Sequence, residues 1–149
     1  KGMQDKGGII QKGGYSGWVQ FFFTINKTQR MSINLHYTHG YGGGGPVTRH
    51  VLQSNRQAVY LPDAQIVLAG HTHDNWVLPI SRHRINANGV LYQDLQYHVR
   101  TPGYKNDYGD GYGGWHIQRG GPPKPNGCVF LRFYRESGVI KINLIPEVE

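Results

Sequence analysis

Two histidine-bearing stretches restrict this chain more than any other feature. Residues 65–75 read Gln-Ile-Val-Leu-Ala-Gly-His-Thr-His-Asp-Asn, and residues 31–45 read Met-Ser-Ile-Asn-Leu-His-Tyr-Thr-His-Gly-Tyr followed by a run of glycines. Ile66 to Ala69 is a short unbroken apolar run, the pattern of a strand buried on both faces. Gly70 ends it, and His71 and His73 follow at once. Earlier, Met31, Ile33, Leu35, Tyr37 and His39 alternate onto one face, while Ser32, Asn34, His36 and Thr38 take the other. Between the two stretches Val51, Leu52, Asn55, Ala58 and Val59 recur at helical spacing, with Pro46 suited to a first turn and Pro62 beyond the end. A helix between two strands predicts a right-handed crossover that brings both strand ends to one edge of a sheet. Ligands collect beyond the carboxyl ends of such strands. His39, His71 and His73 at that edge suit a metal ion or a phosphate. For any one of them alone, the plainer reading is a polar histidine in a turn.

Gly70-His71-Thr72-His73 resembles the last signature of the calcineurin-like metallophosphoesterases. His39-Gly40, with the glycine-rich loop after it, resembles the histidine motif that precedes that signature in the family. The resemblance spans roughly residues 15–136. It implies an α/β fold, the C-terminal half of a four-layer metallophosphoesterase α/β sandwich, mostly β-strands with one clear helix. It also implies two divalent metal ions, manganese first and iron, zinc or nickel as alternatives. His39 and His71 would then bind one ion and His73 the other. Gly42, Gly43 and Gly44 are candidates for holding phosphate oxygens through bare backbone amides. Asp74 and Asn75, next along the chain, are candidates to orient a histidine from behind.

The family's Asp-x-His, Gly-Asp and Gly-Asn-His motifs are absent from the 38 residues before His39. Gly109-Asp110 follows the site and lies in a glycine-tyrosine loop. The bridging carboxylate, the asparagine ligand and the leaving-group histidine are therefore missing, and no catalytic residue is assigned within this chain. The expectation is a C-terminal half (residues 17–149) preceded by a flexible start or link (residues 1–16) to a missing N-terminal half. Such a half is expected to be inactive alone.

Composition agrees without deciding. The formal charge of +7 favours anionic partners, a phosphate ester or a nucleic acid. The 22 glycines in 149 residues demand long, sharply turned loops. Cys128 is the single cysteine, which excludes an internal disulfide and cysteine-based zinc binding. Its place at the start of an apolar strand predicts a buried, inert thiol. No apolar run is long enough to span a membrane, and a cytoplasmic location is the expectation.

The remaining chain reads as strands. Trp18 to Ile25 alternates with both faces largely covered and turns through Asn26–Arg30 into the next strand as a hairpin. Trp76–Ile85 and Val90–Arg100 flank an Asn-Ala-Asn-Gly turn, with a bulge expected near Gln93-Asp94. His83 and His98 read as structural or surface groups. Residues 101–127 form a long loop in which Tyr104, Tyr108, Tyr112 and Trp115 lie beside Lys105 and Arg119, and His116 is a weak further ligand candidate. Val129–Arg135 and Ile140–Leu144 make a closing hairpin stopped by Pro146. The rival reading is a basic β-rich nucleic-acid-binding module without catalysis, its loop aromatics stacking on bases.

Overall fold

The computed structural model describes residues 13–42, 47–106, 108 and 113–149, the side chains of Trp115 and His116 excepted. The elements are β1 (Ser16–Thr24), β2 (Arg30–Thr38), α1 (Val51–Tyr60), β3 (Ile66–Ala69), β4 (Trp76–Ile85), β5 (Leu91–Arg100), α2 (Trp115–Gln118), β6 (Gly127–Glu136) and β7 (Val139–Val148). The chain is mixed α/β and dominated by strands. β1 to β5 form one sheet in the order β1-β2-β3-β5-β4, and β6 and β7 form a separate hairpin.

The expected parallel pairing of the strands before and after α1 is present, with both ends at one edge. β3 pairs parallel with β2 and also with β5, so Thr38, Ala69 and Arg100 stand in one row at the carboxyl edge. β4 runs antiparallel to β5 and starts at that edge with Trp76 opposite Arg100. Its register is continuous from Trp76 to Ile85, so the expected bulge at Gln93-Asp94 is not formed. Arg82 makes the uninterrupted pairing favourable, its Nε and Nη2 donating to the two oxygens of Asp94 directly across the ladder.

The two sheet faces differ in chemistry. One carries Ile33, Leu35, Ile66 and Val99, all buried, and the inner residues Val129, Leu131, Phe133, Ile140, Ile142 and Leu144 of the β6–β7 hairpin pack on it. Phe21 and Phe23 of β1 close on Phe133 with ring centroids 4.8 and 5.3 Å apart. The opposite face is mixed, with Val67 and Ala69 of β3 buried on it and Val67 clustered with Leu61 and Ala64. Gln96, His98 and Arg100 are also buried there; Gln96 engages the turn after α1, Arg100 engages α1, and His98 Nε2 meets Gln96 Oε1. Gln96 donates to the carbonyls of Leu61 and Ala64, and Arg100 Nη2 donates to Gln53 of α1.

Three departures from the sequence expectations follow from which side of each element is covered. α1 buries Ser54 and Gln57 and leaves Leu52, Asn55 and Val59 exposed, and it meets a face that offers hydrogen-bonding groups such as Arg100, bonded to Gln53, beside the small apolar residues Val67 and Ala69. β1 is an edge strand covered on one side only, so Trp18 and Phe22 are 51% and 77% exposed. Cys128 is exposed, since alternation along β6 turns Val129, Leu131 and Phe133 inward and Cys128 outward. Pro146 does not stop the final strand. It pairs opposite Val129 inside β7, a place open to proline in a hairpin with an unpaired side. Pro46 and the start of the chain to Lys12 lie outside the described residues. No helix among the described residues is long and apolar enough to cross a membrane.

Candidate metal centre at the carboxyl edge

His39 and Gly40 follow β2, and Gly70 to Asn75 join β3 to β4, so both histidine segments leave the same edge. Close backbone packing draws them together. Gly40 sits at φ +84°, and a Cβ there would stand 2.8 Å from the Gly70 carbonyl oxygen. Glycine at this position is therefore a steric and a conformational requirement. His39 Nε2 lies 3.1 Å from His71 Nδ1, with the rings edge-on at 69°. The contact is a hydrogen bond between the two rings, one protonated nitrogen donating to the other, and its length also matches two ligands of one metal, since two nitrogens about 2.1 Å from one ion stand roughly 3.0–3.4 Å apart. Both side chains are exposed, which leaves room for further ligands.

The turn that carries His71 and His73 is strained. His71 and His73 adopt φ of 72° and 53°, a left-handed conformation that costs a non-glycine residue about 1–2 kcal/mol each. Thr72 N donates to the Gly70 carbonyl, which tightens the turn. His73 packs against Gly103. A Cβ on Gly103 would stand 3.2 Å from its ring, and with Gly103, Lys105, Asn106, Tyr108 and Lys124 it lines a small cleft. Among the described residues no group of three or more His, Cys, Asp or Glu comes together as a metal site.

Asp74 does not turn toward these histidines. Its Oδ1 accepts from Lys124 Nζ at 2.6 Å, and its Oδ2 lies 3.3 Å from His50 Nδ1. Burial alone would raise the Asp74 carboxyl, but the hydrogen bond and charge of Lys124 outweigh it and hold the group below the usual carboxylate range. Burial and the Arg100 charge pull His50 down from its ordinary value, against the opposing pull of Asp74. Asn75 is half-buried, and its Oδ1 has no hydrogen-bond partner. Of the glycine loop, Gly42 is described and lies beside the site, a Cβ there being 3.4 Å from His71 Nε2. Gly43 and Gly44 lie outside the described residues, as do Tyr112, Asp110 and the His116 side chain.

Sequence reading missed His50, Arg100 and Lys124. Arg100 is a buried guanidinium whose Nη1 reaches the Gly70 carbonyl at 3.4 Å and whose plane lies 5.9 Å from the Trp76 ring. The cation amid apolar residues at a strand end was a visible signal for it. Nothing in the sequence marks Lys124, which is 50 positions from its partner Asp74. The chain matches no protein-family model, no curated protein and no solved structure.

Proposed function

We propose that this chain carries one half of a metal-dependent phosphoesterase, its dinuclear centre completed by residues outside the chain. The observation that supports this reading is the His39–His71 pair, two imidazole nitrogens 3.1 Å apart at the carboxyl edge of parallel strands. His39 and His71 would hold one divalent ion, and His73 would contribute to a second. Bound there, such ions supply Lewis acidity and an activated water for attack on a phosphate mono- or diester. The chain's own residues orient the ligands: the Gly40–Gly70 approach sets the His39–His71 distance, and Arg100 ties the Gly70 carbonyl to α1 through Gln53. A need for a partner segment also accords with the apolar face, which continues past the hairpin to Leu91 and Leu95, 64% and 43% exposed. In the complete protein His71→Ala and His73→Ala should each remove phosphoesterase activity. Wild-type turnover in both would reject these ligands.

A second reading, a nucleic-acid-binding module without catalysis, is favoured by one surface. Phe130 and Tyr134 point outward from β6 with Arg132 between them, its guanidinium 5.9 Å from the Tyr134 ring, and Lys141 stands opposite Tyr134 on β7. Aromatics alternating with cations suit stacked bases and phosphates. This reading requires single-stranded DNA binding that weakens steeply with salt and survives His71→Ala. It fails if Phe130→Ala with Tyr134→Ala leaves binding unchanged. Of the loop aromatics, Tyr104 is 97% exposed, whereas Tyr108 is engaged through its hydroxyl with the Gly121 carbonyl.

A further inference from the structure

Four of the five non-glycine residues with positive φ among the described residues fall in two short segments, Arg49-His50 before α1 and His71 with His73 after β3. Backbone strain of this kind persists only where surrounding contacts over-determine it. Those contacts converge on one carboxylate. Asp74 joins His50, in the first strained segment, to Lys124, in the segment leading into β6. It is itself the residue next to His73. Trp76 reinforces the link, its Nε1 donating to the Arg49 carbonyl at 3.2 Å. The Asp74 and His50 side chains are 13% and 8% exposed and that of Lys124 25%, so the Lys124–Asp74 bond forms largely away from bulk water, where a charge-assisted hydrogen bond holds geometry best, while His50 Nδ1 stands 3.3 Å from the second carboxylate oxygen.

We infer that Asp74 is the positioning residue of the site, a clamp that fixes the His71-Thr72-His73 turn through His50 and Lys124 without touching a ligand. The inference rests on the metal reading for its functional meaning, but the clamp is a property of the turn. It accounts for the presence of a carboxylate beside the histidines that points away from them. It also explains how a turn with two left-handed histidines, joined to β3 by glycine, is kept from relaxing.

The test uses the 149-residue chain with Asp74→Asn, which keeps the shape and removes the charge, and Lys124→Met, which removes one arm. Backbone 13Cα and 13Cβ shifts of His71 and His73 report the left-handed conformation directly, and a zinc titration reports ligand placement. Both variants should move these shifts toward extended or averaged values, and Asp74→Asn should weaken zinc binding by about 10–100-fold, the range for groups behind ligands. Asp94→Asn, which breaks the Arg82 pair on β5, should change neither. Unmoved shifts in a folded Asp74→Asn or Lys124→Met variant would overturn the clamp. The carbon shifts decide the clamp whatever the titration gives, and the phosphoesterase reading is decided separately, by the activity of His71→Ala and His73→Ala in the complete protein.

Discussion

His98 shows how one side chain can set a pH limit. It is 1% exposed, its Nε2 meets Gln96 Oε1, and burial together with the charges of Arg100 and Arg82 lowers its pKa to about 4. The unfolded chain takes up this proton near pH 6.5, whereas the fold refuses it until about pH 4. Stability from this residue is therefore complete above pH 6.5, falls as the pH drops through that window, and levels off below it, a loss of about 3 kcal/mol in all. Urea midpoints of wild type and His98→Gln should converge or cross over this window, and parallel curves would contradict the assignment. Gly40 sets a steric limit. Gly40→Ala places a methyl 2.8 Å from the Gly70 carbonyl oxygen at φ +84°, and should cost about 1–3 kcal/mol in thermal or urea unfolding. It should also separate His39 from His71.

At the scale of elements, the two faces of the five-stranded sheet carry unequal energetic weight. Ile33 is 1% exposed at the centre of the hairpin-covered face, and Ile33→Ala should cost about 2–5 kcal/mol through lost burial and the cavity left behind. Leu91, on the same face but beyond the hairpin, is exposed, and Leu91→Ala should change stability by less than about 0.5 kcal/mol. Chemical denaturation of the two variants side by side measures the extent of the covered core. α1 illustrates the opposite situation. Its buried residues are Ser54 and Gln57, on the side of the sheet where the polar row Gln96, His98 and Arg100 stands beside Val67 and Ala69.

For the molecule as a whole, the uncovered apolar surface is the main physical consequence. Leu91, Leu95 and Ile85 on the β4–β5 ribbon and Phe22 on the β1 edge are all exposed. Exposed apolar area of this kind marks an interaction surface or an association hazard. The 149-residue chain should show an average mass that rises with concentration in sedimentation equilibrium, and Leu91→Lys with Leu95→Glu should reduce that rise. A concentration-independent monomer mass would show that this surface is tolerated in water.

The strands, the crossover and the closing hairpin were legible in the sequence because alternation and apolar runs are local signals. Ile66–Ala69, a short apolar run closed by Gly70, reads as a buried strand, and Ser137-Gly138 marks the turn of the β6–β7 hairpin, where both residues take positive φ. The pairing of strand ends was also readable, since a strand–helix–strand unit has one favoured hand. The side of α1 that faces inward was not readable, because the polar row that receives it is contributed by β5, some forty residues later in the chain. The outward turn of Cys128 likewise depended on which face of β6 met the sheet. The histidines at the edge were named by their motif, and their 3.1 Å meeting follows from glycine backbones in contact. The bond from Lys124 to Asp74 belongs to the tertiary structure alone, since local sequence carries no trace of a contact between residues so far apart along the chain.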